Sequence, residues 1–234
     1  MKSHANMPEE SRQLLRRIVE TVAWRQISML NLVGHCMKFL SDLDAKARAV
    51  DELELNLRLL NQVRELYREL GWEDLETAVR ERVEGMPIPQ SRGEFGIAYH
   101  LTSVAERVAM ESYLDSSCKE FAAIARSYVE VADLRPGPSR FLAFAKEPTN
   151  RPRAQEYLER WLGASLRSFG RPDTAAEQRV IELGLRDARV ASLVAALIER
   201  IRPTVHSVGL RIPPLESLGL VLPAGIDVAG DPRA

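Results

Sequence analysis

The sequence predicts an all-α protein built from long helices. Three observations carry this. Apolar residues recur three and four positions apart along most of the chain, the signature of a helix with one buried face. No segment sustains the two-residue alternation of a strand. Helix starts and stops (proline before an acidic pair, glycine after an apolar run) fall at the ends of the periodic stretches.

The first helix is expected from about Glu9 to Leu43, after Pro8 and opening on an acidic pair that suits a helix N-terminus. Its inward stripe reads Leu15, Val19, Val22, Gln26, Met29, Leu30, Val33, Met37 and Leu40. A second helix, about Lys46 to Leu70, stops at Gly71. Leu53, Asn56, Leu60, Val63, Tyr67 and Leu70 form one stripe on it, and Leu55, Leu59, Gln62 and Leu66 an adjacent one. So wide an apolar arc belongs to a helix packed on two sides. A short helix from Glu73 to Glu84 precedes the loop MPIPQSRGEFG. Further long helices are expected over about Phe95–Leu114 and Ser116–Asp133. LRPGPSR then breaks the pattern, because proline cannot donate an interior helix hydrogen bond. Helices near Pro152–Phe169 and Thr174–Ile201 follow, the latter with Thr174 or Asp173 as N-cap and Glu177 behind it. From Pro203, repeated Pro and Gly predict an extended arm.

These segments predict a four-helix bundle with additional helices and a Pro-rich C-terminal arm. They read as a single domain over residues 1–234: core helices about 9–133, accessory helices about 152–201, tail 203–234.

Composition narrows the function. The chain is 45% hydrophobic and 28% charged, as an ordinary globular domain is. A formal net charge of −1, with no basic cluster interleaved with aromatics, argues against a nucleic-acid or membrane-surface partner. Cys36 and Cys118 are far apart and form no CxxC pair, so they read as buried free thiols. The N-terminus lacks the apolar run of a signal peptide, and the most apolar stretch, Ile27–Leu40, is interrupted by Asn31, Gly34, His35 and Lys38. A cytoplasmic location is expected. No GxGxxG, Walker loop or GxSxG motif occurs.

A helical bundle offers one recurrent chemistry, the carboxylate-bridged di-metal site. It needs an inward Glu from each of two helices and a Glu-x-x-His pair from each of the other two, the i, i+3 spacing placing both ligands on one face. Gln26 lies where a ligand Glu would be expected, and an amide is a poor bridging group. Glu20 is nearby but off that stripe. Asn56 with Leu59, or Leu59 with Gln62, has the spacing without the ligands. Glu52 and Glu54 read as a solvated face. Glu106 or Glu111 could supply a lone carboxylate, and Glu130 with Asp133 makes a Glu-x-x-Asp, the nearest approach to the motif. Among the four histidines, His35 reads as a core or interface residue, and His100 is a further candidate ligand.

Three stretches resemble the phenylacetyl-CoA monooxygenase (ring 1,2-epoxidase) family. DELELNLRLLNQVRELYRELG, from Asp51 to Gly71, resembles that family's second core helix. RAQEYLERWLGASLRSFGRPDT, from Arg153 to Thr174, resembles its Arg-Trp helix and following turn, and PPLESLGLVLP, from Pro213 to Pro223, its Leu-Gly-Leu-x-x-Pro tail. The resemblance rests on the ordered set and implies a ferritin-like fold. The family includes subunits that activate oxygen at a di-iron centre on an aromatic CoA thioester, and related subunits without the metal that serve as structural partners. Glu130 and Asp133 fall on the family's second Glu-x-x-His, with Asp in place of His. The chain departs from the catalytic pattern at Gln26, Asn56, Leu59 and Gln62.

The expected function is therefore a diverged family member without a complete di-iron set. It would act as a scaffold, partner or ligand-binding subunit without a cofactor, in a homo-oligomer or with a related oxygenase-type subunit, and an acyl-CoA is the ligand the resemblance implies. Two other readings compete with it. One is an active non-haem oxygenase or hydroxylase holding an iron or manganese pair on Glu20, Glu106, Glu130 and Asp133. The other is a helical dimerisation module with Ile27–Leu40 as its seam.

Overall fold

A computed structural model describes residues 7–132 and 137–222. Among the described residues the chain is all-helical, with nine α-helices and no strand. They are α1 (Glu9–Cys36), α2 (Leu43–Glu69), α3 (Leu75–Glu84), α4 (Arg92–Glu111), α5 (Lys119–Ala132), α6 (Ser139–Ala145), α7 (Arg151–Arg167), α8 (Ala175–Glu182) and α9 (Val190–Ser207). No helix among the described residues is long and apolar enough to cross a membrane.

The chain divides into two compact units. The first comprises Met1–Ile88, Met110–Arg135 and Gln178–Asp187; the second, Pro89–Ala109, Pro136–Glu177 and Ala188–Ala234.

In the first unit, α1 and α2 pack as an antiparallel hairpin, α3 lies along α1, and α5 packs on α2. Arg12 near the start of α1 donates to the Leu70 carbonyl past the end of α2 (2.7 Å). The Asp42 carboxylate accepts the Ala45 N–H (2.6 Å) and starts α2. Leu15, Val19, Val22, Leu59, Val63, Leu66, Tyr67, Phe121 and Tyr128 fill the core. Both cysteines are buried free thiols. The buried stripe of α2 is Ala45, Ala49, Glu52, Asn56, Leu59, Val63 and Leu66. That corrects the sequence reading at two positions: Glu52 is buried rather than solvated, and Gln62 is exposed rather than inward. Leucines at 53, 55, 57, 59 and 60 surround this helix. Period alone cannot choose the inner face among them, and the buried stripe begins at two alanines small enough for close helix approach.

His35 is exposed, not a core residue. Met29, Leu32, Val33 and Cys36 take the inner face of the last α1 turns, leaving His35 outside.

The expected helix over 174–201 is divided. Thr174 caps α8, its hydroxyl accepting the Glu177 N–H (3.1 Å), while Glu177 accepts the Asp173 N–H (2.6 Å). The same buried carboxylate accepts the N–H of Val190, the first residue of α9. One side chain thus satisfies orphan donors at two helix starts, and the chain turns between them. α9 also runs through Pro203 to Ser207, beyond the expected stop. The short α6, absent from the sequence reading, sits between two proline-rich stretches that mask its period.

Two glycines one turn apart let α6 approach α4. A Cβ at Gly93 would lie 2.4 Å from the Phe144 ring, and one at Gly96 would lie 2.9 Å from the Arg140 backbone. Gly96→Ala should therefore cost about 1–3 kcal/mol by overpacking. Gly34→Ala, in a helix with nothing within 4 Å of the added carbon, should be neutral or stabilising by about 0.5–1 kcal/mol. Urea denaturation of both variants checks the contrast, and equal effects would overturn it.

Candidate functional site

Several of the positions proposed for a metal pair carry other roles. Gln26 and Asn56 are buried at 1% and 0% exposure, on the packed faces of α1 and α2, but neither offers a carboxylate. Asn56 Nδ2 donates to its own helix, at the Glu52 carbonyl (2.8 Å). Leu59 has no donor atom, and Gln62 faces solvent. Glu20 is anchored instead: its Oε1 accepts the Tyr67 hydroxyl (2.7 Å) and Arg16 Nε (2.8 Å). The Arg16 guanidinium lies 5.9 Å from the Tyr67 and Trp72 rings. Burial, followed by the adjacent Glu20 carboxylate, pushes the Tyr67 phenol up to about 12, so it stays a neutral donor. Glu106 is buried on α4, Glu111 is half-buried near that helix's end, and Glu130 is exposed near the end of α5. Asp133 lies outside the described residues, as does His4. Among the described residues, no three His, Cys, Asp or Glu side chains come together as a metal-holding group. The residues described at these positions therefore do not by themselves supply the ligand set of a carboxylate-bridged pair.

His100 is the most perturbed histidine. Burial pushes its imidazole down to about 4. Its Nε2 is buried without a hydrogen-bond partner, and its ring centre sits 5.8 Å from that of Phe141. Below an unfolded-state pKa of about 6.5, the unfolded chain binds a proton that the folded chain resists.

A different site lies wholly within the second unit. A cleft of about 570 Å³ is lined by Ser91, Arg92 and Gly93 at the start of α4, by Arg140 and Phe144 of α6, and by Arg153 and Tyr157 of α7, among others. Buried chemistry below sets its geometry. Glu94 is 1% exposed, and its carboxylate accepts the Gln90 N–H (2.9 Å), Arg160 Nη1 (2.9 Å) and the Trp161 indole N–H (3.1 Å). Ser91 accepts the Glu94 N–H (3.2 Å) and caps α4. These bonds fix the start of α4 against α7, and Gly93 and Gly96 bring in α6. Phe144 and Tyr157 stack with ring centres 6.1 Å apart, 26° from parallel. Asn150 Nδ2 donates to the Phe144 carbonyl (3.2 Å). The Arg140 guanidinium lies 5.5 Å from the Phe95 ring. Among the described residues, no carboxylate lines the cleft.

Sequence reasoning missed this site. Its three arginines are separated by 48 and 13 positions, and no local motif joins them. The one local signal was the S-x-x-E capping pattern at Ser91 and Glu94, which lies inside a segment read as a loop.

No protein-family model matches the chain, and no curated protein matches its sequence.

The buried imidazole generates a pH prediction. Its folded pKa is depressed, so its contribution is present above about 6.5 and is lost as pH falls through about 4. His100→Gln should flatten the fall in stability between those values relative to the parent, in denaturation curves taken at successive pH. Parallel curves for the two proteins would show that His100 titrates normally.

Proposed function

We propose that this chain is a non-catalytic helical protein that acts as a scaffold, partner or ligand-binding subunit. The carrying observation is the use its carboxylates are put to. Glu20 is bonded by Tyr67 and Arg16, Glu94 by Arg160 and Trp161, and Glu177 by two helix starts. At Gln26, Asn56 and Leu59 on the packed faces of α1 and α2 stand an amide, a second amide and a leucine, with Glu52 buried one turn before Asn56. The α1–α2 hairpin with α5 beside it is compatible with a ferritin-like bundle. The resemblance of Asp51–Gly71, Arg153–Thr174 and Pro213–Pro223 to phenylacetyl-CoA oxygenases supports a relative of that family's metal-free subunits. A cleft lined by arginines supports the ligand-binding half of the reading, an acyl-CoA being one anion of suitable charge.

Metal analysis of protein from cells grown with iron and manganese tests the reading. Well under one equivalent per chain is expected. About two equivalents, lost in Glu130→Ala, would establish the competing reading, an oxygenase with an altered ligand set.

One observation favours self-association as a second role. Leu43, Val50 and Leu57 lie seven residues apart on α2 and are 81%, 51% and 49% exposed. Residues at this spacing line one helix face, as in a coiled-coil seam. The Ile27–Leu40 stretch is not free to serve, since Met29, Leu32, Val33, Cys36 and Leu40 are buried. Sedimentation should show a dimer at micromolar concentration that Val50→Glu with Leu57→Glu converts to monomer. A monomeric parent would exclude this role.

A further inference from the structure

The arginine cleft contains an electrostatic conflict. Arg92 is the first residue of α4, whose first turn also holds the buried and bonded Glu94, and Arg153 lies in the first turn of α7, a turn without an acidic residue. A helix N-terminus carries partial positive charge and its free N–H groups favour anions, so a cation there is unfavourable. Here two such cations share one cavity with a third guanidinium, that of Arg140. Among the described residues no carboxylate is paired with Arg92, Arg140 or Arg153. Other arginines of the second unit do find partners, as Arg160 does in Glu94 (2.9 Å). Like charges kept together at a concave surface raise the local concentration of anions.

The rest of the lining adds chemistry. Ser91 and Ser139 bring hydroxyls, and Asn150 an amide. The stacked Phe144 and Tyr157 bring an aromatic wall. Guanidinium groups match phosphate oxygens in a planar, two-bond geometry, and aromatic faces take planar rings in offset stacks. A volume of about 570 Å³ is in the range of small-molecule sites.

We propose that this cleft binds a small phosphorylated organic molecule bearing a planar ring, with the phosphate on Arg92, Arg140 and Arg153 and the ring against Tyr157 and Phe144. The proposal rests on the ligand-binding half of the function above and names the ligand class for it. It does not depend on the resemblance or on the absence of catalysis.

Calorimetric titration of the full chain with AMP, ribose 5-phosphate and adenosine tests each part. AMP should bind, ribose 5-phosphate more weakly, and adenosine not measurably. Affinity for AMP should fall as salt rises. Arg92→Gln with Arg153→Gln, both at exposed residues, should weaken AMP by at least about tenfold through lost charge-assisted bonds while leaving the urea denaturation curve unchanged. Tyr157→Leu should weaken AMP while leaving ribose 5-phosphate within about twofold, because only stacking is lost. Adenosine binding as well as AMP would overturn the phosphate assignment and leave a ligand cleft of another class. An AMP affinity unchanged in the double arginine variant would overturn the location. If no probe binds at millimolar concentration, both the ligand class and the ligand-binding role fail, while the metal analysis still decides the non-catalytic role separately.

Discussion

The second unit depends on one buried charge. A carboxylate at 1% exposure is tolerated only where donors replace the water it has lost, and Glu94 finds three of them. Those donors come from the backbone before α4 and from two consecutive residues in the middle of α7. Satisfying that charge fixes where α4 begins against α7, and so fixes which arginines can share a cavity. Arg92 precedes Glu94 by two residues, and Arg153 stands two helical turns before Arg160. Neither could be placed without the bond network beneath them.

The same device recurs elsewhere. Glu177 joins the start of α8 to that of α9, and in the first unit Glu20 joins α1 to Tyr67 of α2. Each is a carboxylate bonded by groups distant in sequence, which fixes one arrangement of helices whose apolar faces alone would tolerate several. Carboxylates held in this way are poorly suited to binding metal, since ligation would strip donors that then have no other acceptor. The bonded roles of these acids, with the amides and leucine at Gln26, Asn56 and Leu59, support the non-catalytic reading proposed above.

The cleft follows a contrasting logic. Acids organise the inside of the second unit, whereas among the described residues its cavity is lined by cations and no acid, at helix ends where the backbone already favours anions. Glycines at 93 and 96 remove the Cβ atoms that would hold α6 and its Phe144 away. Basic rim, aromatic wall and close helix approach are thus separate features, each with its own residues, and they coincide in one place.

The sequence by itself determined the helical class, most helix positions and several caps, because these depend on contacts within one or two turns: the apolar period of α1, the stop at Gly71, the Thr174–Glu177 pair. It also put amides at Gln26, Asn56 and Gln62 and a leucine at Leu59. The tertiary structure decided the rest. It selected the inner face of α2, where leucines all round left the phase open and small alanines settled it. It turned His35 outward and Glu52 inward, and it divided the helix after Thr174 through a carboxylate that satisfies two helix starts. It alone assembled Arg92, Arg140 and Arg153. Charges from three separate helices meet only when packing brings those helices together, and no local pattern in the chain records that meeting.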